Sequence, residues 1–282
     1  MTLPRASGKL CNYQIPCYNE PMDISTFDFT IISMAGLIVF AAAFFGGIVD
    51  SVCGGGGLII VPSLMAIGMP PHMVVGTNQC GAIVGCWASF AEYAKAGKVD
   101  MKTGRLALPF ALAGAFIGSR LNLVIDEKYL QILMVVLVPA LAIVSVIKRD
   151  VGEENRSGEL SRRRRIICAA AIGLLVSAYH AFYGPASGIF YLMGFSFFMK
   201  FDAVRANGLS RFMLACIDLV SSAVYAIWGC ICWKAVLVYT VSYMAGSVIG
   251  ARIALSKGSG IIRPLYYCVL AGLMIKLVID LL

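Results

Sequence analysis

Hydrophobic residues occur in long runs along most of the chain, separated by short polar stretches. Ten apolar segments result, in two groups of five: 29–49, 58–69, 72–94, 104–124 and 128–147, then 166–183, 187–199, 203–228, 233–254 and 260–281. The second segment of each group is only 12 or 13 residues long. At 1.5 Å per residue it reaches about 18–20 Å, too little for a hydrocarbon core of about 30 Å. The pattern predicts that each group opens with a broken or re-entrant helix.

Composition restricts the class of protein. Of the 282 residues, 60% are hydrophobic and 13% charged, whereas soluble domains are about 45–50% apolar and about 25% charged. The chain is therefore expected to be an all-α polytopic membrane protein whose main partner is the lipid bilayer. The net charge of +8 fits basic cytoplasmic loops better than a polyanion site, so no nucleic acid is expected.

The two groups repeat each other in sequence. The pattern Gly46-Gly47-x-x-Asp50-x-x-x-Gly54 corresponds to Gly173-x-x-x-Ser177-x-x-His180-x-x-x-Gly184, and Asn78 corresponds to Asn207. Because five is odd, two repeats of the same path are inverted relative to each other in the membrane. The predicted parts are a polar tail outside (1–28), a first repeat (29–147), a basic cytoplasmic linker (148–165) and a second repeat (166–282).

The basic residues agree with this topology. With the linker inside, the loops 95–105, 200–205 and 252–263 are also inside. Sixteen basic residues then lie inside and five outside, as the positive-inside rule requires. Both termini are expected to face outward.

The run of four glycines at 54–57 is the most unusual stretch. It would break a membrane helix, which is tolerated only where the backbone lines a cavity or is buried by protein. A helix that begins at Leu58 would point its positive end at that cavity and favour an anion. Residues 184–188, Gly-Pro-Ala-Ser-Gly, repeat this feature in the second half. The alternative is that small residues only allow helices to pack closely.

Arg211 lies within an apolar segment, where an unpaired cation costs a few kcal/mol unless it faces a cavity or a partner. Asp218, seven residues later, is the predicted partner. The functional interpretation is that Arg211 holds an anion. The alternative is a structural ion pair, which would leave the anion to the amides of the glycine-rich stretch.

Asp50 and His180 occupy matching positions, four residues before each break. Histidine titrates near physiological pH, so the pair is predicted to carry coupling protons, with a packing role as the alternative. Asn78 and Asn207 begin the third segment of each repeat, and their amides either line the site or join helices. The predicted substrate-binding residues are Gly54, Gly55, Gly56, Gly57, Asn78, Gly184, Ser187, Asn207 and Arg211.

Other small residues and cysteines have structural interpretations. The pairs Gly114/Gly118 and Gly246/Gly250 indicate helix packing, with a homodimer face as the alternative. Five of the ten cysteines lie in apolar runs and are expected to pack as small hydrophobic residues: Cys80, Cys86, Cys168, Cys216 and Cys268. Pairing is left open for Cys11, Cys17, Cys230 and Cys232.

Together these features resemble the TauE/SafE family of sulfite and organosulfonate exporters over about residues 35–280. The resemblance rests on these residues: Gly47, Asp50, Gly54 to Gly57, Pro62, Gly68-x-Pro70-Pro71-His72, Gly76-Thr77-Asn78, Tyr93, Gly97, Gly184-Pro185-x-x-Gly188, Arg205-Ala206 and Gly250-Ala251-Arg252. It implies a multi-pass secondary transporter of small sulfur oxyanions in a cell membrane, expected to be the bacterial inner membrane. One departure is Gln79, where members of the family often carry Lys.

Other functions remain as alternatives. A permease or channel for carboxylates would use the same architecture. A membrane-embedded enzyme would need a nucleophile with a base, or a metal cluster, and the sequence has no His-x-x-x-His or Glu-x-x-His pattern. No catalytic residue, metal or cofactor is therefore predicted. The missing nucleotide-binding loop makes ATP-driven pumping by this chain alone unexpected.

Overall fold

The computed structural model describes residues 33–125 and 155–258, and within them the chain is all-helical apart from turns and loops. A short 3₁₀ turn, Ser157–Glu159, precedes the second half. The eight α-helices are α1 (Met34–Cys53), α2 (Gly57–Ala66), α3 (Pro71–Lys95), α4 (Met101–Val124), α5 (Arg162–Phe182), α6 (Ser187–Met199), α7 (Ala203–Ile227) and α8 (Trp233–Lys257).

Five of these helices, α1, α4, α5, α7 and α8, are long and apolar enough to cross a membrane. Helix α3 has 25 residues and is also long enough, at about 37 Å. This confirms the predicted all-α, multi-pass class. The order of long, short, long, long occurs in both halves, while the inversion of the repeats stays a prediction. The tail 1–28 and the segments 128–147 and 260–281 lie outside the described residues.

The two short helices fold back along the helices that precede them. A Cβ atom on Gly46 of α1 would lie 2.5 Å from the Ile60 side chain of α2. In the second half, the hydroxyl groups of Ser177 in α5 and Tyr191 in α6 are 2.5 Å apart. Each half therefore opens with an antiparallel hairpin, as expected from the length of its second segment.

The turns of the two hairpins meet inside the protein. A Cβ atom on Gly54 would lie 2.2 Å from the carbonyl carbon of Gly188, and one on Gly57 would lie 3.0 Å from the Cα atom of Pro185. Gly54 also has φ of +83°, a left-handed conformation that glycine adopts without strain. Glycine is needed here because backbone packs directly on backbone.

The basic loops of the described residues lie at one end of the bundle. The N–H of Arg156 in the linker donates to the carbonyl of Lys200, 2.9 Å away. Arg252 at the end of α8 pairs with Glu92 at the end of α3, and Gly208 packs against the carbonyl of Lys98. These contacts bring the described parts of the four basic loops together, while the side of the membrane on which they lie stays a prediction.

The small residues of α4 and α8 pack against helices within the same chain. A Cβ atom on Gly118 would lie 2.1 Å from the carbonyl oxygen of Ala178 in α5. In the other half, one on Gly250 would lie 2.4 Å from the carbonyl oxygen of Ile48 in α1. Gly114 and Gly246 make similar contacts one turn earlier. The packing interpretation of these glycines is confirmed.

The cysteines divide into free thiols and one disulfide-bonded residue within the described part of the chain. Cys230 is disulfide-bonded, whereas Cys232 is free and buried. These two residues therefore do not pair with each other. Cys80, Cys86, Cys168 and Cys216 are free, as expected for packing residues. Cys11, Cys17 and Cys268 lie outside the described residues.

Candidate functional site

A small cavity lies where the two hairpin turns meet, and its walls come from all of the described α-helices except α4 and from both turns. The polar side chains that line it are those of Asp50, Asn78, His180, Ser187, Asp218, Tyr239 and Tyr243. The predicted glycines Gly54, Gly57 and Gly184 line it as well. Most of the predicted site residues, distant in sequence, are therefore brought to one place.

Asp50 and Arg211 form a buried ion pair on one side of the cavity. The guanidinium Nη1 of Arg211 donates to Oδ2 of Asp50, and that oxygen also accepts from the Tyr243 hydroxyl at 2.5 Å. The other carboxylate oxygen accepts from the N–H of Gly56 in the first turn, at 3.1 Å. Arg211 is fully buried behind the cavity wall, so its charge is balanced within the protein.

His180 and Asp218 form a second buried pair across the cavity. Nε2 of His180 is 2.6 Å from Oδ1 of Asp218, and Nδ1 is 2.6 Å from the Ser187 hydroxyl. Both ring nitrogens are therefore occupied. The two members of the pair come from α5 and α7, while Ser187 is the first residue of α6.

The prediction that Asp218 is the partner of Arg211 is wrong. Seven residues along one helix place the two side chains about 10 Å apart along the axis, whereas Asp50 on α1 lies directly beside Arg211. A single helix cannot bring these groups into contact, but two adjoining helices can. Asp218 is thus free to hold His180.

The carboxyl ends of α1 and α5 reach the centre of the protein, where side chains satisfy their last carbonyl groups. Asn207 donates to the carbonyls of Ser51 and Val52, and the Tyr93 hydroxyl also donates to Ser51. At the end of α5, three side chains donate to three successive carbonyls: Gln79 to His180, Tyr225 to Ala181 and Asn122 to Phe182, each at 2.7 Å.

This arrangement leaves the centre polarised. The negative ends of α1 and α5 are neutralised by hydrogen-bond donors. The amino ends of α2 and α6, which carry the positive ends of their dipoles, begin at Gly57 and Ser187 on the cavity wall. The backbone therefore favours negative charge in the cavity.

Asn207 and Asn78 have different surroundings although they were matched in sequence. Asn207 is fully buried and holds the end of α1, whereas Asn78 lines the cavity and accepts from the Tyr239 hydroxyl at 2.9 Å. Gly76 packs against Tyr225, and Gly208 packs against Tyr93 in the same way, so Gly76 and Gly208 are equivalent positions of the two halves. With the halves aligned on these glycines, the counterpart of Gln79 is Arg211, and Asn78 is no longer the counterpart of Asn207.

The sequence did not single out Tyr239 and Tyr243 as site residues. They lie four residues apart on α8 and therefore share one face of it. That spacing was the available signal, but tyrosines on a membrane helix also occur as interfacial anchors. Their burial at the centre, 0% and 2% exposed, shows that they are not anchors. In the described residues no three His, Cys, Asp or Glu side chains cluster to hold a metal.

Comparison with known proteins agrees with this architecture. The chain is 30% identical over 245 residues to the probable membrane transporter protein ORF9 of Sinorhizobium sp, covering 86% of this chain and 92% of the relative. The probable membrane transporter protein YfcA of Escherichia coli K12 is 28% identical over 243 residues, covering 86% and 89%. A probable membrane transporter protein of Haemophilus influenzae is 28% identical over 247 residues, covering 86% and 94%.

No solved structure matches the chain at a significant level. The model of the sulfite exporter TauE/SafE family matches residues 39–277, which include nearly all of the described helices. With the helices, the two meeting hairpins and the central polar cavity, this match identifies the class of the molecule. The chain belongs to the sulfite exporter TauE/SafE family and is a multi-pass membrane transporter.

Proposed function

We propose that this chain is a proton-coupled secondary transporter of small anions, such as sulfite or organosulfonates, in the inner membrane of a bacterium, and that it works as an exporter. The observation that carries the proposal is the polarised cavity. The amino ends of α2 and α6 face it, while the carboxyl ends of α1 and α5 are capped by side chains. The name of the family supports the substrate class.

The charges around the cavity favour an anion that binds together with a proton. Asp50 and Arg211 cancel each other. Asp218 with a neutral His180 leaves one negative charge, which repels an anion over a few ångströms in a medium of low dielectric constant. Protonation of His180 removes that net charge, so proton and anion binding support each other.

Arg211 contributes to anion binding through Asp50. While Asp50 is ionised, it accepts from Arg211, Tyr243 and the N–H of Gly56. Protonation of Asp50 weakens this attraction and makes the charge of Arg211 available to an anion at the first turn. The predicted roles of Asp50 as a proton carrier and Arg211 as an anion-binding residue are thus linked, because Arg211 exchanges the Asp50 carboxylate for the anion when Asp50 is protonated.

The hairpins supply the moving parts. Their turns touch through Gly54, Gly57, Pro185 and Gly188, which have little or no side chain to interlock. Rocking of one hairpin against the other would open the cavity alternately to either side. Export follows from the membrane potential when the anion carries more negative charge than the protons bound with it, as divalent sulfite does with one proton. A negative interior then drives out each uncompensated charge with about 2.3 kcal/mol per 100 mV.

The proposal is tested by reconstituting the purified full chain in liposomes. Uptake of radiolabelled sulfite, isethionate, acetate and sulfate is measured at zero membrane potential, with and without an inward proton gradient. We expect a sulfur oxyanion to be taken up faster than by protein-free liposomes and to accumulate when the gradient is imposed. Absence of flux for every anion contradicts the proposal.

Coupling is tested in the same liposomes with Asp50→Asn and His180→Gln. Each replacement keeps a hydrogen-bonding side chain but removes the titratable group. We expect at least one variant to retain downhill exchange while losing accumulation driven by the proton gradient. Glu92→Gln, at the exposed Arg252 pair, is the control and should behave as wild type. A wild-type protein indifferent to the gradient refutes coupling but not anion transport.

A permease for monovalent carboxylates is the second candidate. No Lys or Arg side chain is among the described residues that line the cavity, and amides with hydroxyl groups suit a carboxylate as well as a sulfonate. Faster flux of acetate than of sulfite or isethionate in the same panel would favour this alternative.

A further inference from the structure

We propose that Ser187 is the residue that couples the proton on His180 to the anion, because its hydroxyl group donates either to the neutral His180 ring or to the anion, but not to both at once. This rests on the proposed function and specifies how the same site works. The residues that carry it are Asp218, His180 and Ser187, which form one hydrogen-bonded row on the cavity wall.

With Asp218 ionised, the chemistry of the three groups fixes the direction of each hydrogen bond. An ionised carboxylate can only accept, so Nε2 of His180 carries a hydrogen and donates to Oδ1 of Asp218 at 2.6 Å. In neutral histidine the other nitrogen, Nδ1, then has no hydrogen and must accept. Among the described residues, the only group bonded to it is the Ser187 hydroxyl at 2.6 Å, which therefore donates to the ring.

Protonation reverses the second bond. When a proton binds Nδ1 from water, the imidazolium donates at both nitrogens. The Ser187 oxygen then becomes an acceptor, and its own hydrogen must rotate away from the ring. Ser187 lines the cavity and is the first residue of α6, so a released O–H group can donate to an anion at the amino end of that helix.

One proton thus makes two changes at once. It cancels the charge of Asp218, and it supplies a hydrogen-bond donor that neutral His180 had occupied. With His180 neutral, an anion meets the Ser187 lone pairs instead of its hydrogen. The anion is therefore held well only when the proton is present, which is the requirement for coupled transport.

Other titratable groups around this row come from five helices. They are Asp50 on α1, Cys80 and Cys86 on α3, Tyr191 on α6, Arg211 and Cys216 on α7, and Tyr239 and Tyr243 on α8. Asp50 and Arg211 are bonded to each other. Thiols and phenols ordinarily titrate above about pH 8, whereas histidine titrates between about pH 5 and 8. A pH dependence in the latter range therefore excludes the thiols and phenols, and the Ser187 variants together with the histidine NMR experiment distinguish His180 from the carboxylates.

The test compares the KM for sulfite of Ser187→Ala with that of the wild type in liposomes, at about pH 5.5 and about pH 8. The ratio of the two values at each pH is used because the protonation of sulfite itself then cancels. We expect Ser187→Ala to raise KM about tenfold at the lower pH, the loss of one hydrogen bond of about 1.4 kcal/mol. At the higher pH the ratio should stay within about twofold.

Two matched variants complete this test. Ser187→Thr keeps the hydroxyl group and should restore the wild-type KM at low pH. Ser177→Ala removes a buried serine of α5 whose hydroxyl faces Tyr191 rather than the cavity, and it should leave the pH response of KM unchanged. Equal ratios at both pH values, whether near one or near ten, overturn the inference while leaving anion transport intact. A wild type that moves neither sulfite nor isethionate overturns both proposals.

A second measurement needs no variant at Ser187. The chain has only two histidines, so nitrogen NMR of the ¹⁵N-histidine-labelled protein gives two sets of ring signals, which His72→Gln assigns. At about pH 8 we expect His180 to carry hydrogen on Nε2 alone. Adding sulfite at about pH 7 should increase its doubly protonated fraction. Hydrogen on Nδ1 of neutral His180, or no response to sulfite, would contradict the switch.

Discussion

At the scale of single residues, each charged side chain at the centre is bonded to a titratable side chain on another helix. Arg211 is bonded to Asp50 and Asp218 to His180, and all four residues are at least nine-tenths buried. Removing one member of a buried pair leaves the other uncompensated, which costs more than the pair itself contributes. The stability of single and double variants should therefore differ strongly.

We expect Arg211→Gln to lower the free energy of unfolding by about 3–5 kcal/mol, because it leaves the Asp50 carboxylate buried without its cation. The double variant Arg211→Gln/Asp50→Asn should recover most of that loss but remain inactive in anion transport. Thermal unfolding in detergent, followed by tryptophan fluorescence, measures the first effect.

The control for this prediction is Arg252→Gln, which breaks an exposed ion pair with Glu92 and should hardly change the unfolding temperature. If the double variant is no more stable than Arg211→Gln, the pair is not the source of the effect. If the double variant transports sulfite at the wild-type rate, Arg211 has only a structural role.

At the scale of helices, the helix ends inside the protein depend on side chains from other elements. The carbonyl of Ser51 at the end of α1 accepts from both Tyr93 and Asn207, whereas the carbonyl of Ala181 at the end of α5 accepts from Tyr225 alone among the side chains described. The two ends are therefore not equally sensitive to losing a tyrosine hydroxyl group.

We expect Tyr225→Phe to destabilise the protein by about 1–3 kcal/mol, since it leaves the buried carbonyl of Ala181 without its donor. Tyr93→Phe should cost less, because Asn207 still donates to Ser51. The two replacements remove the same atom, so thermal unfolding of both variants isolates the effect of the remaining donor. A larger loss in Tyr93→Phe would refute this account.

Close packing of helices α1 and α8 gives another prediction. Gly250→Ala introduces a methyl group 2.4 Å from the carbonyl oxygen of Ile48, so the two helices must separate. We expect a loss of about 1–3 kcal/mol in the free energy of unfolding. Gly158→Ala is the matched control, because a Cβ atom there meets nothing within 4 Å. Equal unfolding temperatures for the two variants would disprove the packing role.

At the scale of the whole molecule, the predicted topology gives opposite sides of the membrane to the two ends of the bundle. The basic loops lie at one end. At the other end, the guanidinium carbon of Arg120 lies 5.0 Å from the centre of the Trp228 ring. The N–H of Cys232 donates to the Thr77 hydroxyl group at the same end. Cysteines placed at exposed positions of each end distinguish the sides.

We expect Lys234→Cys to react with a membrane-impermeant maleimide in intact cells, and Gly158→Cys to react only after the membrane is permeabilised. Both positions are exposed. Labelling of the chain without either substitution measures the background from its native cysteines. The reverse pattern would place the basic linker outside and contradict the orientation that follows from the positive-inside rule.

Sequence alone determined the class of the molecule and much of its site. The length of the apolar runs predicted membrane helices, and the two short segments predicted hairpins, because these properties follow from composition and from the rise per residue. The four glycines at 54–57 and the matching positions of Asp50 and His180 indicated where the cavity lies, since a broken helix in a membrane needs protein around it.

Only the tertiary structure decided which polar groups bond to each other. Sequence spacing assigned Asp218 to Arg211 and matched Asn78 with Asn207. In the structure Asp50 holds Arg211, and Asn207 holds the end of α1. Periodicity orders residues along one helix, but a buried charge is paired by whichever helix packs beside it. Which helix packs there depends on close backbone contacts such as the one between Gly54 and Gly188. The pattern along one segment does not show which other segment lies against it.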